Sequence, residues 1–206
     1  MTIAIEKFIL GPIDTNAYLV VNEQNRAFLV DPSDNPSEVV NFINTNKIVL
    51  ESIIITHGHF DHIMGIPEII ESYPDVKVYV SSGEKIMLKE PHYNGSFMIG
   101  LPFTYDGVVH ELNEGEMTIG SFNVNVIFVP GHSPAGTAIL IGNYLLCGDI
   151  LFAGSIGRAD LLGGNEELLV NGIKSKLMVL PDDTVVCPGH GGRTTIARER
   201  KANPYI

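Results

Sequence analysis

Cysteine, cations and long apolar runs are all scarce in this 206-residue chain, and each scarcity removes a class of protein. Its two cysteines, Cys147 and Cys187, are too few for a disulfide scaffold at this length. Both sit in apolar runs, YLLCGD and TVVCPGH, and read as reduced strand residues. Thirteen Lys and Arg stand against twenty-four Asp and Glu, a formal net charge of −11. Phosphate-backbone binding rests on Lys and Arg, so nucleic acid is not an expected partner. No stretch approaches the roughly 18 apolar residues of a membrane helix. The opening MTIAIEKFIL lacks the basic region and long apolar core of a secretory signal. What remains is the composition of an ordinary globular protein, 45% hydrophobic and 18% charged, without low-complexity tracts. The expectation is one cytoplasmic domain spanning residues 1–206, without membrane attachment.

Strand patterns dominate the first thirty residues. IAIEKFIL, NAYLVVN and AFLVD are rich in β-branched and aromatic residues and are separated by Gly11-Pro12 and Asn22 to Asn25. Pro36 and Ser37 then open a helix whose Val39, Val40, Phe42 and Ile43 share a face. SIIIT reads as a strand buried on both faces. A helix is expected through IMGIPEIIES, a strand at KVYVS and a short helix at GEKIMLKE. Residues 91–107 (PHYNGSFMIGLPFTYDG) read as an irregular segment, either a functional lid or a packed surface insertion. FNVNVIFVP, TAILIG and YLLCGD are further strands. NEELLVNGIKSKLMVL is an amphipathic helix, DTVVCPGH a last strand and TTIARERKA a terminal helix. Strands precede helices in each half, which suggests two mixed sheets packed face to face with helices outside.

The chemistry concentrates in THGHFDH, which places His57, His59, Asp61 and His62 within six residues. Imidazole and carboxylate suit zinc, iron or manganese. Residues two apart at a strand end point the same way, so His57 and His59 can reach one ion. Asp61 and His62 fall where a helix begins and can face a second. His132 (VPGHSPAGT), Asp149 (LLCGDILF) and His190 (VVCPGHGG) each lie just past a strand beside glycine. Ligands drawn from separate strand ends converge at one edge of a sheet in open α/β sites. His92 and His110 read as surface or packing residues. Asp31, in LVDPSD, is either a partner that orients a ligand or a turn-forming Asp-Pro.

THGHFDH, PGHSPAGT, GDILFAGSIGRAD and PGHGG, in this order, resemble the metallo-β-lactamase superfamily, and within it the glyoxalase II-like hydroxyacylglutathione hydrolases. The likeness runs from GPIDTNAYLV to the last histidine. It implies an α/β fold, the four-layer αββα sandwich of two mixed sheets. It also implies two divalent metal ions, zinc first among the candidates with iron or manganese as alternatives. His57, His59 and His132 would hold the first and Asp61, His62 and His190 the second, with Asp149 bridging. Aspartate at the bridging position, where many β-lactamase members carry cysteine nearby, favours thioester or phosphoester cleavage over lactam opening.

The implied activity is cleavage of a small thioester, such as S-lactoylglutathione, by a hydroxide shared between the two ions. Asp61 and Asp149 are the catalytic carboxylates of that scheme. Arg158 either meets a substrate carboxylate or forms a salt bridge to Asp160 or Glu166. Longer glyoxalase II enzymes carry a helical domain with basic residues for glutathione. Here only Arg193, Arg198, Arg200 and Lys201 follow His190 as cations. Competing readings are a persulfide dioxygenase of the same fold, with one iron on His57, His132 and Asp149, a phosphodiesterase and a non-catalytic metal protein. The sequence leaves the oligomeric state open.

Overall fold

The structure, a computed structural model, describes residues 2–206. Its first sheet has six strands in chain order: β1 (Ile3–Leu10), β2 (Thr15–Asn22), β3 (Arg26–Val30), β4 (Val49–Ile54), β5 (Lys77–Ser81) and β6 (Val109–Leu112). β1, β2 and β3 are antiparallel neighbours, while β3 to β6 run parallel. The parallel crossovers carry α1 (Ser37–Thr45), α2 (Phe60–Ile63), α3 (Ile66–Ser72) and α4 (Lys85–Lys89). The second sheet contains β7 (Gly115–Ile119), β8 (Phe122–Phe128), β9 (Thr137–Ile141), β10 (Tyr144–Gly148), β13 (Val185–Pro188) and β14 (Thr194–Thr195). Its spatial order is β14-β13-β10-β9-β8-β7, with β10 and β13 parallel and the other pairs antiparallel. A two-stranded ribbon, β11 (Leu151–Phe152) with β12 (Ser155–Ile156), follows β10. α5 (Glu166–Gly172) and α6 (Ile196–Ala202) complete the chain.

Three apolar layers explain why these elements stack. Strand side chains alternate, so each sheet offers two faces. In β2 and β3, Ala17, Leu19, Ala27 and Leu29 point one way, into a cluster with Val39, Ile43, Ile66 and Ile69 of the helices. Tyr18, Val20, Phe28 and Val30 point the other way and meet Phe122, Val124, Ile139 and Leu146 of the second sheet. Phe28 and Phe122 pack edge to face across this middle layer, with ring centroids 4.9 Å apart. The outer face of the second sheet buries Leu145, Cys147 and Val186 against Leu169, Ile173, Leu177 and Ile196. The order helix, sheet, sheet, helix is the expected four-layer αββα sandwich. Both cysteines are free and buried in it. No helix among the described residues is long and apolar enough to cross a membrane.

Several expected elements differ in detail. The single helix expected after Asp61 is two, because the chain turns at Gly65. A Cβ there would sit 2.2 Å from the carbonyl oxygen of Ser33, so only glycine allows the helix to pass so close to the loop after β3. The helix expected over residues 165–180 begins at an Asn165 cap that accepts from the Leu168 amide, then widens into a π-helical turn over Ile173–Leu177. β6, β7, β11 and β12 had no sequence expectation. β6 and β7 are half-exposed, and the ribbon strands have two residues each, so none carries an apolar alternation long enough to read. Residues 91–107 are irregular, as expected, apart from one 3₁₀ turn at Ser96–Ile99.

Candidate metal centre

The seven residues singled out in the sequence meet at one edge of the sandwich. β4 ends just before His57, and the chain then turns so that His59 stands immediately before α2 and Asp61 and His62 occupy its first turn. His132 follows β8, Asp149 follows β10 and His190 follows β13. The first four therefore come from the first sheet and the last three from the second. Glycine permits the closest approaches. Gly148 has φ +48, and a Cβ there would lie 2.2 Å from Thr56 Oγ1. A Cβ on Gly189 would lie 2.2 Å from Asp149 Oδ1 and 2.7 Å from His62 Cε1.

Two clusters result. The ligand-type atoms of His57, His59 and His132 lie within 4.8 Å of one another, and so do those of Asp61, His62 and His190. In the first, His132 Nε2 is 2.9 Å from His59 Nδ1 and 3.1 Å from His57 Nε2. In the second, Asp61 Oδ2 is 3.1 Å from His62 Nε2 and 3.2 Å from His190 Nε2. Asp149 stands between them. Its Oδ2 is 3.7 Å from His132 Nε2 and 3.5 Å from His190 Nε2, and its Oδ1 is 3.6 Å from His62 Nε2.

Electrostatics separates the clusters. Burial and the neighbouring imidazoles hold His57 well below the ordinary imidazole range, and burial with His132 nearby lowers His59 to about 3. Burial likewise lowers His132, with Asp149 partly opposing. Burial also pulls on His62, but Asp61, Asp31 and Asp149 outweigh it and raise that group well above its usual value. Burial lowers and Asp61 and Asp149 raise His190, with a net upward shift. Burial opposes ionisation of Asp61, yet His62 and His190 hold its carboxyl well below the usual carboxylate range.

These residues fit divalent cations. A neutral imidazole carries one N–H, and His57 and His132 direct theirs from Nδ1 to Thr56 and to the Arg158 carbonyl, so their Nε2 lone pairs face each other at 3.1 Å with His59 beside them. A shared cation satisfies three lone pairs at once. His62 Nε2 and Asp149 Oδ1 are buried without a hydrogen-bond partner among the described residues. Such orphaned groups are costly unless something fills the gap between them.

The ring tautomers are set from behind. His132 Nδ1 donates to the Arg158 carbonyl at 2.7 Å, which leaves Nε2 to face the cluster. Thr56 Oγ1 donates to Asp31 Oδ2 at 2.6 Å and so accepts from His57 Nδ1 at 3.1 Å. Asp31 Oδ2 also meets His62 Nδ1 at 2.9 Å, and Asp31 Oδ1 accepts from the Thr56 amide at 2.8 Å. Of the two readings of Asp31, the structure shows the orienting one. This back-side bonding also accounts for a third grouping, Asp31 with His57 and His62, which lies behind the rings.

Other positioning residues escaped the sequence. Glu84, fully buried, accepts from the Gly58 amide (2.8 Å), Ser133 Oγ (2.7 Å) and the Ala135 amide (2.6 Å). It thereby ties the loop of His57 and His59 to the loop of His132. Burial raises its pKa, with those hydrogen bonds opposing. Nothing marks Glu84 in GEKIMLKE, where it resembles any charged residue near a helix. Thr15 Oγ1 donates to Asp61 Oδ2 at 2.9 Å. Asn16 Nδ2 donates to the Pro188 and Gly191 carbonyls at 2.9 and 3.0 Å, which braces the turn of His190. Polar residues opening an apolar strand were the available signal for that pair.

The clusters open into a cleft of about 200 Å³ whose lining includes His59, Asp61, His132, Asp149 and Arg158. The Arg158 guanidinium, largely exposed, forks onto Asp160 at 2.7 and 2.8 Å. A larger hollow of about 610 Å³, along β7, β8 and β9, is remote from these residues. His92 stacks on Phe97 and His110 on Tyr79, as packing residues do.

With fold and geometry in place, kinship follows. Residues 10–190 match the metallo-β-lactamase superfamily. A probable metallo-hydrolase, YqgX of Bacillus subtilis (strain 168), is 36% identical over 201 residues, covering 96% of this chain and 94% of its own. The hydroxyacylglutathione hydrolase GloC of Haemophilus influenzae is 30% identical over 209 residues, covering 98% and 97%. The crystal structure of the BLEG-1 B3 metallo-β-lactamase superposes with a TM-score of 0.94 at 36% identity, covering 98% and 99%. The chain belongs to the metallo-β-lactamase superfamily.

Proposed function

We propose that this protein is a hydrolase that uses two divalent metal ions to cleave a small acyl thioester. His57, His59 and His132 would hold one ion, Asp61, His62 and His190 the other, with Asp149 shared. The observation that carries this reading is Asp149, whose two carboxylate oxygens face both clusters while Oδ1 has no partner among the described residues. When bound, such a pair of ions lowers the pKa of a shared water toward neutrality and polarises the carbonyl under attack. The chain's own groups do the rest. Asp61 and Asp149, both lining the cleft, orient the attacking water, and Asp149 receives its proton. Arg158, at the cleft wall, offers its remaining N–H groups to a polar oxygen of the substrate. The water oxygen bonds to the acyl carbon, the carbon–sulfur bond breaks, and the proton ends on the leaving thiolate. A thiolate leaves readily, so no strong general acid is needed.

Zinc, iron and manganese all suit this donor set. The likeness to GloC, a hydroxyacylglutathione hydrolase, supports the thioester reading, as does an aspartate, rather than a cysteine, between the clusters. The substrate on this reading is a small molecule, not a nucleic acid, and the setting the cytoplasm. Elemental analysis with a thioesterase assay tests it. Two metal equivalents with thiol release and no oxygen uptake are expected. One iron with oxygen consumption on glutathione persulfide would replace this reading with the dioxygenase one.

A further inference from the structure

The cleft divides by chemistry. Its lining combines His59, Asp61, His132 and Asp149 with an apolar set, Ile13, Phe60, Met98, Ile99 and Leu161. Much of that apolar set is bare: Met98 is 74% exposed, Ile13 49% and Ile99 43%. Grouped apolar side chains rimming one opening mark a surface that binds something. The cleft itself, about 200 Å³, accommodates a short chain, and a hollow of about 340 Å³ extends it. The adjoining hollow shares Gly95, Met98 and Leu161 with the cleft and adds His92, Tyr93, Leu162 and Asp160. It brings a carboxylate and an imidazole, and no Lys or Arg. Arg158 is the one Lys or Arg lining the cleft, and its fork is engaged with Asp160. A glutathionyl group carries two carboxylates, and against them the cleft sets a single guanidinium that already shares its fork with Asp160.

We propose that the site selects acyl thioesters that present an uncharged, apolar substituent, a short alkyl chain, to the wall of Met98, Ile99, Leu161 and Ile13. This inference rests on the thioester reading above and narrows its substrate class away from glutathione conjugates. Water adds to the acyl carbon, the carbon–sulfur bond breaks, and the products are a short-chain carboxylate and an uncharged thiol.

The test uses the metal-loaded full chain. Acetyl, butyryl and hexanoyl thioesters of N-acetylcysteamine are compared with S-lactoylglutathione for kcat/KM. In parallel, unreactive ethyl, butyl and hexyl thioethers of N-acetylcysteamine are titrated calorimetrically. Each methylene buried on the wall should raise kcat/KM and affinity about fourfold until the chain outgrows the cleft. The uncharged esters should outrun S-lactoylglutathione. Met98→Asp and Ile13→Asp, both at exposed positions, should flatten the chain-length series. A flat series, or a preference for S-lactoylglutathione over the butyryl ester, overturns the inference and leaves the thioester reading standing. Thioethers that bind more tightly with length while no thioester is cleaved would support the apolar wall and sink the thioester reading instead.

Discussion

Removing Glu84 asks whether the cluster is held by the ions it takes or by the chain around it. Glutamine at position 84 keeps the shape and one acceptor. Two donors, Ser133 Oγ and the Ala135 amide, converge on Oε1 and only the Gly58 amide on Oε2. The amide oxygen of Glu84→Gln therefore takes the Oε1 place, and its NH₂ confronts the Gly58 N–H. One buried hydrogen bond is lost and one backbone donor orphaned, a cost of about 2 kcal/mol. For a chain of this length that is a fall in Tm of roughly 4–8 °C. Glu84→Ala orphans all three donors and should cost about 3–5 kcal/mol, a large part of the 5–15 kcal/mol that typically holds a fold. Stability alone does not distinguish a brace from a positioning residue, so metal affinity is measured by chelator competition on the folded Gln variant. Because Gly58 lies between His57 and His59, affinity should fall by about 10–100-fold, the range seen when a residue behind a ligand is lost. A Glu84→Gln protein with Tm within 1 °C of the parent and unchanged metal affinity would refute the reasoning.

Three other expectations follow from the geometry. Asp149→Ala should lower metal content and activity together, measured by elemental analysis and thiol release; a variant with full metal and full rate would end the shared-ligand assignment. Arg158→Ala should raise KM more than it lowers kcat, because the guanidinium is exposed at the cleft wall; its backbone carbonyl, which holds His132, is retained in any substitution. The metal-free protein should be most stable near pH 6.5, the ordinary imidazole value, when Tm is followed against pH. Below it, unfolding lets His57, His59 and His132 bind protons that burial denies them, so stability falls as pH falls. Above it, His62 and His190 keep protons in the folded state that they lose on unfolding, so stability falls as pH rises. A monotonic profile from pH 5 to 9 would contradict these opposed shifts.

Most of the site was legible because its residues carry unusual chemistry at strand ends. His57 to His62 form a dense motif, and His132, Asp149 and His190 each stand beside a glycine after an apolar run. The four-layer order was legible from strands that precede helices, together with the family likeness. What stayed hidden acts through common residue types. Glu84, Thr15 and Asn16 gain their roles only when loops 26 to 175 residues away fold against them, and no local pattern encodes such a meeting. β6 and β7 failed to register because their outer faces remain wet. The break at Gly65 is set by the Pro32 and Ser33 carbonyls, far from it in sequence. Met98 and Ile99 were readable as part of an irregular segment, but their place in the lining of the cleft beside the imidazoles was not.

Each of the two clusters draws residues from both sheets, which turns a local site into a clamp on the whole sandwich. On the proposed ligand set, an ion in either place stitches the amino-terminal half of the chain to the carboxy-terminal half. Any change that lets one sheet slide over the other, even at the Phe28–Phe122 contact in the middle layer, alters how well the stitch fits. Grip on the ions thus becomes a gauge of the distant interior, and packing defects far from the cleft will surface first as metal loss.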